Sequence, residues 1–147
     1  MASGNFRGYS ILLKDYPEKF AMHRSQLAGF IIDCRTEDIG EAAEFWSSAL
    51  GLSSVADPRS DATRYRRLEP GPGGLELEVQ RVDHESRVHL DIETDNVEAE
   101  VRRLEALGAK RVESVHSWVV MEAPTGQRFC VVRAFSRGFD DSARRWE

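Results

Sequence analysis

Hydrophobic and polar positions follow two different periods along this chain. In RVHLDIETD (residues 87–95) and in GLELEVQRV (residues 74–82), every second residue is apolar over most of the segment, which is the period of a β-strand with one buried face. In EDIGEAAEFWSSALG (residues 37–51) the apolar residues recur every three to four positions, as on one side of an α-helix. Gly51 stands where a left-handed C-terminal cap belongs. The two periods together predict an α+β fold.

The order of these elements occurs twice. Residues 27–82 contain a strand in GFIIDCR, a helix that ends in Ala-Leu-Gly, and further strands; residues 87–135 repeat this order, with the second helix ending in Ala-Leu-Gly at Gly108. The last two strands are predicted in VHSWVVMEA and QRFCVVRAF. Two such modules predict small, mostly antiparallel sheets, each with its helix on the apolar face, and polar faces turned towards a shared cleft.

The pattern also predicts where the repeated part of the chain begins and ends. Residues 1–26 show no sustained period and are interpreted as an N-terminal extension. Residues 136–147 are mostly polar and are interpreted as a surface tail. The predicted domain is therefore residues 27–135, with modules 27–82 and 87–135.

Composition narrows the classes of partner. The chain has 147 residues and a formal net charge of −5, which argues against extensive contact with nucleic acid or with an anionic membrane. It has neither an apolar run long enough to span a bilayer nor a secretory signal pattern, so we expect a cytoplasmic protein. Cys34 and Cys130 lack paired metal-binding spacing, and they are expected to be reduced thiols.

Four segments resemble the vicinal oxygen chelate superfamily, also called the glyoxalase/bleomycin-resistance/dioxygenase superfamily. They are IIDC, EAAEFWSSALGL, VHLDIETDNVEAEVRRLEALGAKRV and WVVMEAPTGQRFCVV, and they fall within residues 27–135. The chain is most similar to the short glyoxalase-like members. The resemblance implies paired βαβββ modules in curved mixed sheets around a cleft, with the helices on the outer face. It also implies, in many members, a divalent metal held by four inward side chains.

The metal pattern that the resemblance implies is only half matched. His89 matches the histidine at the start of the second module, and Glu78 is the best match for the carboxylate near the end of the first. The other two positions hold Ile31 and Cys130. Isoleucine offers no donor atom, whereas a cysteine thiolate binds Zn²⁺ or another thiophilic ion. A three-ligand site of His89, Glu78 and Cys130 is therefore one interpretation, and a metal-free cleft with Cys130 as a packing residue is the other.

His89 has three interpretations because its side chain faces the predicted cleft. The first is a residue paired in a polar cluster with Glu78 or Asp91. The second is a metal ligand. The third is a general base, since imidazole titrates close to neutrality. His89 and Glu78 are the predicted catalytic residues. Arginine binds carboxylate or phosphate in bidentate fashion, so Arg35 and Arg67 are candidates for an anionic group. The predicted substrate-binding residues are Arg35, Arg67, Asp33, Gln80 and Trp118. Further residues expected on the cleft face are Tyr65, Glu76, Asp91 and Glu93, with either Trp118 and Val120 or Val119 and Met121.

Two functions of different classes follow. The first is a glyoxalase-like enzyme of the lyase or isomerase type, in which His89 and Glu78 bind a metal or move a proton next to a carbonyl group. The second is a metal-free protein that binds or sequesters a small organic molecule, as bleomycin-resistance members do. In both the partner is a small molecule, and the resemblance also implies a homodimer. The choice depends on the site, because a fold alone does not determine function.

Overall fold

The computed structural model describes residues 22–58 and 60–147, and this part of the chain contains nine strands, three α-helices and a 3₁₀ helix at Pro72–Gly74. The elements are β1 (His23–Arg35), α1 (Ile39–Leu50), β2 (Ser54–Val55), β3 (Tyr65–Leu68), β4 (Glu76–Val82), β5 (Arg87–Thr94), α2 (Val97–Ala106), β6 (Lys110–Val115), β7 (Trp118–Glu122), β8 (Arg128–Arg133), α3 (Phe139–Ser142) and β9 (Arg144–Trp146). Within the described ranges, no helix has the length and apolar character needed to cross a lipid bilayer.

The strands form one continuous mixed sheet rather than two separate ones. Its order is β2-β3-β4-β1-β5-β8-β7-β6, and β9 pairs with the start of β1. Each module contributes one parallel pair, β1 with β4 and β5 with β8. The modules join because β1 and β5 pair antiparallel at the centre. The predicted α+β architecture of two βαβββ modules is confirmed, and its sheets are fused at this central pair.

Both long helices cover the same face of the sheet. α1 begins after Asp38, whose carboxylate accepts hydrogen bonds from the backbone N–H groups of Gly40 and Glu41, and it ends at Gly51 with φ 67°. The buried residues of the α1 core are Ile39, Leu68 and Val79. Those of the α2 core are Val101, Leu104, Val119, Met121, Phe129 and Val131. Because strand side chains alternate, the opposite face of the sheet is left for polar residues.

The second module contains one strand more than the hydrophobic pattern predicts. Residues 115–123 were expected to form a single strand, but the chain turns at His116, whose φ is 47°, and separates β6 from β7. β6 reads KRVESV and is almost entirely exposed at the sheet edge, so it carries little hydrophobic signal. The register of β7 then buries Val119 and Met121 in the α2 core, and Trp118 faces the other side.

The two ends of the described chain pair with each other. β1 starts at His23, inside the segment interpreted as an extension, and β9 lies in the segment interpreted as a tail; His23 is opposite Trp146. The Trp146 Nε1–H donates to Ser25 Oγ at 2.7 Å, and Phe139 of α3 is buried. Residues 1–21 of the predicted extension lie outside the described residues.

The outer face of β5 is only partly covered. Val88 is 59% exposed and Leu90 is 41% exposed, because α1 packs mainly against β3 and β4 whereas α2 contacts mostly β8, β6 and the start of β1. The polar residue between them, His89, is the better buried, with a side chain that is 10% exposed. The homodimer implied by the resemblance stays a prediction.

Candidate functional site

A cleft lies on the face of the sheet opposite the helices. It consists of two adjoining cavities of about 350 and 290 Å³, referred to together as the cleft. The two cavities share the lining residues Ile31, Ser60, Glu78, Asp91 and Val132. Sites for small molecules in proteins span roughly 300–1,000 Å³, so the cleft has the size of such a site.

Strand register brings the two modules together in the cleft. Ile31 of β1 is opposite Glu78 of β4 on one side and opposite His89 of β5 on the other. Cys130 of β8 is opposite Asp91 of β5. All four positions of the metal pattern therefore line the 350 Å³ cavity, although they are separated by up to 99 residues in the sequence.

His89 is held between two carboxylates. Its Nδ1–H donates to Asp33 Oδ2 at 2.8 Å, and its Nε2 lies 3.4 Å from Asp91 Oδ1. Burial lowers the pKa of His89, but contacts with Asp33, Asp91 and Cys130 outweigh burial and raise the pKa to about 11. The ring in this arrangement is an imidazolium at neutral pH, which disfavours the predicted role of His89 as a general base.

Glu78 has the opposite electrostatic surroundings. Burial raises the pKa of Glu78, and the nearby negative charges of Asp91 and Glu76 raise it further, to about 7, against a smaller lowering by Arg67. A carboxyl group with this pKa gains and loses a proton near neutrality, as a general acid or base must. The sequence predicted a side chain that titrates near neutrality at His89, but in the structure Glu78 is the side chain with this property.

Two carboxylate oxygens near His89 have no hydrogen-bond donor among the described residues. They are Asp33 Oδ1 and Asp91 Oδ1, and both atoms are buried. The approach of His89 Nε2 to Asp91 Oδ1 is thus an ion pair and not a well-aligned hydrogen bond. The Asp33 side chain is 1% exposed. Most buried polar atoms in proteins have a partner, so these two oxygens can accept a hydrogen bond from a water molecule or a ligand.

The predicted substrate-binding residues occupy different places. Gln80 and Trp118 line the 350 Å³ cavity, and Arg67 lines the 290 Å³ cavity. Arg67 donates a short hydrogen bond to Glu76, so its charge is largely neutralised. Asp33 lies beneath His89, and Arg35 is exposed at the end of β1; neither lines the cavities formed by the described residues.

Other lining residues come from segments where the sequence gives no periodic signal. Asp57, Ser60 and Asp61 belong to the connection between β2 and β3, and Phe135 follows β8. Glu93 accepts hydrogen bonds from the backbone N–H groups of Phe135 and Ser136, which fixes that segment over the sheet. The Pro- and Gly-rich composition of residues 53–74 predicts a loop but not which of its side chains enter the cleft.

A larger depression of about 880 Å³ lies at the ends of β5 and β8 beside the cleft, and Trp118 and Phe135 line both. Two of the arginines that line it, Arg24 and Arg111, have carboxylate partners. Arg24 lies 3.0 Å from Asp95 and 2.7 Å from Asp140, and Arg111 lies 3.0 Å from Glu98. Because these charges are paired and the polar atoms without partners lie beside the cleft, we place the candidate site in the cleft.

The residues at the four positions of the metal pattern do not supply a complete set of ligands. Ile31 contributes only a hydrocarbon wall. A smaller donor group is present nearby, since His89, Asp91 and Cys130 each offer one ligand atom and these atoms lie within 4.8 Å of one another. Any metal site in this cleft would therefore differ from the one that the resemblance implies.

The model of the glyoxalase-like domain family matches residues 29–132, which covers both modules and all four positions of the metal pattern. This chain belongs to the glyoxalase-like domain family. A search of curated proteins gives no match.

Solved structures of this superfamily share the fold at low sequence identity, which confirms the resemblance. Methylmalonyl-CoA epimerase from Mycobacterium tuberculosis is 16% identical, with a TM-score of 0.52 over 75% of this chain and 88% of the epimerase. The Mn(II)-bound glyoxalase from Novosphingobium aromaticivorans is 19% identical, with a TM-score of 0.50 over 80% of this chain and 44% of the glyoxalase. An extradiol ring-cleaving dioxygenase from Brevibacterium fuscum is 13% identical, with a TM-score of 0.52 over 82% of this chain and 35% of the dioxygenase. At these identities the similarity concerns the fold alone.

Proposed function

We propose that this protein binds a small organic molecule in the cleft. The observation that carries the proposal is the convergence of both modules on one concave surface, where polar and charged side chains are partly buried without being fully paired. Clefts of this kind, mostly preformed and holding a few oriented polar groups, are the usual sites of small ligands.

The lining favours a small polar molecule with a flat part. Tyr65 and Trp118 present aromatic surface to the 350 Å³ cavity, and Gln80 offers both donors and an acceptor. Arg67 is engaged by Glu76, so an anionic ligand group would have to compete for it. The cleft therefore suits hydrogen bonding and aromatic contact better than it suits a multiply charged anion.

A second candidate function is an enzyme of the lyase or isomerase type that moves a proton at a carbon next to a carbonyl group. It is favoured by the position of Glu78, which is largely buried, lines both cavities and has a pKa raised to about 7 by burial. In this reaction the Glu78 carboxylate takes a proton from carbon. The cationic His89 stabilises the negative charge that develops on the carbonyl oxygen.

One pair of measurements tests both functions. Small carbonyl compounds and flat polar compounds are screened for their ability to raise the melting temperature of the protein. Each stabilising compound is then incubated with the protein in D₂O, and its deuterium content is measured by mass spectrometry. Deuterium uptake that is lost in Glu78→Gln, while the compound still stabilises the variant, supports the enzyme.

Stabilisation with no deuterium uptake supports a binding protein instead. Tyr65→Ala serves as the test of location, because Tyr65 lines the cleft and, unlike Trp118, does not line the larger depression. Ligands that stabilise Tyr65→Ala and the unaltered protein equally would place binding outside the cleft and contradict the proposal. The exposed Phe45 of α1 provides the matched control, since Phe45→Ala removes aromatic surface from the opposite face.

A further inference from the structure

We infer that the ligand of the cleft is a protonated organic amine joined to a flat apolar group, with its ammonium beside Glu78. The inference rests on the proposed binding function and adds the chemical class of the ligand. Three observations carry it. They are the pairing of the cations that line the cleft, a carboxylate that has no partner, and the position of two aromatic rings.

Both cations that line the cleft among the described residues are already held by carboxylates. The His89 imidazolium lies 2.8 Å from Asp33 and 3.4 Å from Asp91, so this cluster keeps one negative charge in excess. Arg67 donates a short hydrogen bond to Glu76. Because neither cation is available to an anionic ligand, the described lining favours a ligand with a positive charge.

One carboxylate in the cleft, that of Glu78, has no partner. Glu78 lines both cavities, and among the described residues it has neither a hydrogen-bond donor nor an ion-pair contact. Asp33 Oδ1 and Asp91 Oδ1 also lack donors, but these two atoms are sealed from solvent. The oxygens of Glu78 are therefore the unpaired acceptors that a bound group can reach. A cation that enters beside a partly buried carboxylate stabilises its charged form.

A second side chain on the cavity wall is exposed to the same negative charge. Burial raises the pKa of Tyr65, and Arg64 lowers it by a smaller amount. The negative charges of Glu78, Asp61 and Asp33 raise it further. The register between β3 and β4 makes Glu78 a diagonal neighbour of Tyr65, within reach of a long side chain. The negative charge and the aromatic ring therefore lie at the same end of the 350 Å³ cavity.

Aromatic rings stand on both sides of the cavity floor. Tyr65 belongs to β3 and Trp118 to β7, and four strands lie between them in the order of the sheet. The face of an aromatic ring attracts a cation, and proteins bind organic ammonium groups in this way. The rings also offer apolar area to a flat group. The lining thus suits both parts of an aromatic amine.

The rest of the lining favours an organic over an inorganic cation. Ile31 and Val132 line both cavities and offer no donor atom. His89 supplies a charge and not a lone pair, because its ring is protonated. An inorganic ion that leaves water must replace several ligands at once, whereas an organic ammonium carries its own apolar body and requires fewer polar contacts.

Three naphthalene compounds of similar size separate the effect of charge from that of shape. They are naphthylmethylamine, which is cationic near pH 8, naphthylmethanol, which is neutral, and naphthoate, which is anionic. Isothermal titration calorimetry measures the binding of each compound to the full chain. We expect the amine to bind at least about tenfold more tightly than the alcohol, because only the amine forms a charge-assisted hydrogen bond and a cation–π contact. Naphthoate should bind most weakly.

Glu78→Gln tests where the charge is bound. The variant should bind the amine and the alcohol with similar affinity, and its affinity for the alcohol should match that of the unaltered protein. Glu113→Gln removes the same charge from the exposed edge strand β6 and should keep the preference for the amine. A preference that survives in Glu78→Gln, or that Glu113→Gln abolishes as well, overturns the inference.

The outcomes also separate this inference from the proposed function. If the amine and the alcohol bind the unaltered protein equally, and both bind Tyr65→Ala more weakly, the cleft binds a flat molecule but the inferred charge is wrong. Failure of the amine to bind overturns the inference and leaves the proposed function to the wider screen. Amine binding that is the same in Tyr65→Ala and Glu78→Gln as in the unaltered protein lies outside the cleft and contradicts both.

Discussion

The protein contains two buried histidine–carboxylate clusters that differ in how completely their atoms are paired. The terminal cluster consists of His23, Glu100, Arg103 and Trp146 and lies between α2 and the sheet. The cleft cluster consists of His89, Asp33 and Asp91. In the terminal cluster, His23 Nε2 lies 2.6 Å from Glu100 Oε2, both side chains are fully buried, and Arg103 donates to both oxygens of Glu100.

The terminal cluster is a satisfied structural network. The Arg103 guanidinium also lies 3.8 Å from the Trp146 ring, so β9, α2 and the start of β1 are joined through paired groups. The cleft cluster leaves two buried oxygens without donors and borders a cavity. The two clusters therefore differ in hydrogen-bonding capacity: the carboxylate of the terminal cluster is fully engaged within the protein, whereas the cleft cluster still has acceptor oxygens without donors beside a cavity.

The largest expected effect is the loss of a partner from the terminal cluster. Glu100→Ala leaves His23 and Arg103 buried without their shared carboxylate, and breaking a buried ion pair costs about 3–5 kcal/mol. Denaturant unfolding should show this loss of stability. The control is Glu98→Ala on the exposed side of α2, which should cost about 0–1 kcal/mol. Similar small losses in both variants would remove the distinction between the clusters.

Removing a carboxylate from the cleft is expected to stabilise the protein, whereas removing Glu100 destabilises it. Folding raises the pKa of Glu78 from 4.5 to about 7, so the folded protein holds this proton more tightly than the unfolded chain does. The free energy of unfolding therefore falls as the pH rises from about 4.5 to about 7, and then levels off. Glu78→Gln should abolish this fall in the free energy of unfolding.

We expect Glu78→Gln to be more stable than the unaltered protein by about 2–3 kcal/mol near pH 8, and the difference to disappear near pH 4. Parallel urea titrations at the two pH values measure it. Glu113→Gln on the exposed edge strand β6 is the matched control and should change little at either pH. A Glu78→Gln variant that is less stable near pH 8 would argue that the carboxylate is a satisfied structural group.

A smaller effect concerns the charge of His89. Contacts with Asp33 and Asp91 help to raise the pKa of His89 to about 11, so its imidazole signals in NMR should not titrate between about pH 5 and pH 8. Asp33→Asn removes one negative charge and should lower the pKa by at least about one unit, equivalent to about 1.4 kcal/mol. Glu105→Gln on α2, which covers the opposite face of the sheet, controls for a general effect of charge. Titration of His89 near its ordinary value in the unaltered protein would contradict the assigned ion pair.

The smallest expected effect tests how the chain end is attached. Trp146→Phe keeps an aromatic ring beside Arg103 but removes the Nε1–H that donates to Ser25 Oγ, which should cost about 1 kcal/mol. A thermal melt should show a modest decrease, with ligand binding in the cleft unchanged. Ser25→Ala is the partner variant, and the double variant should be little worse than either single one.

Much of the fold could be predicted because its central elements have clear periods. α1 was predicted within residues 37–51 and occupies Ile39–Leu50, and the predicted strands at 74–82 and 87–95 correspond to β4 and β5. β6 and β9 could not be predicted in this way. β6 is an exposed, polar edge strand. β9 is three residues long and depends on pairing with β1; Trp146 of β9, for example, donates to Ser25 of β1, which lies 121 residues earlier in the sequence.

The sequence predicted which side chains share the cleft face of the sheet, but it did not predict the contacts between them. Alternation correctly predicts that Glu78, Gln80 and His89 share one side, because side-chain direction follows from the strand period alone. It does not predict that Asp33 binds His89 or that Asp91 meets Cys130. Those contacts follow from the register between strands, which is set by packing across the whole sheet.

The sequence by itself determined the repeated modules, the helix-covered face and the polar face, because local periodicity and helix termination act over a few residues. The tertiary structure decided which polar residues are paired and which are not. That choice depends on how close side chains come in space, as for Asp33 and His89, which are 56 residues apart in the sequence, and on how deeply each is buried. Burial is also the largest cause of the Glu78 pKa of about 7. Electrostatics in the cleft is therefore a property of the assembled sheet.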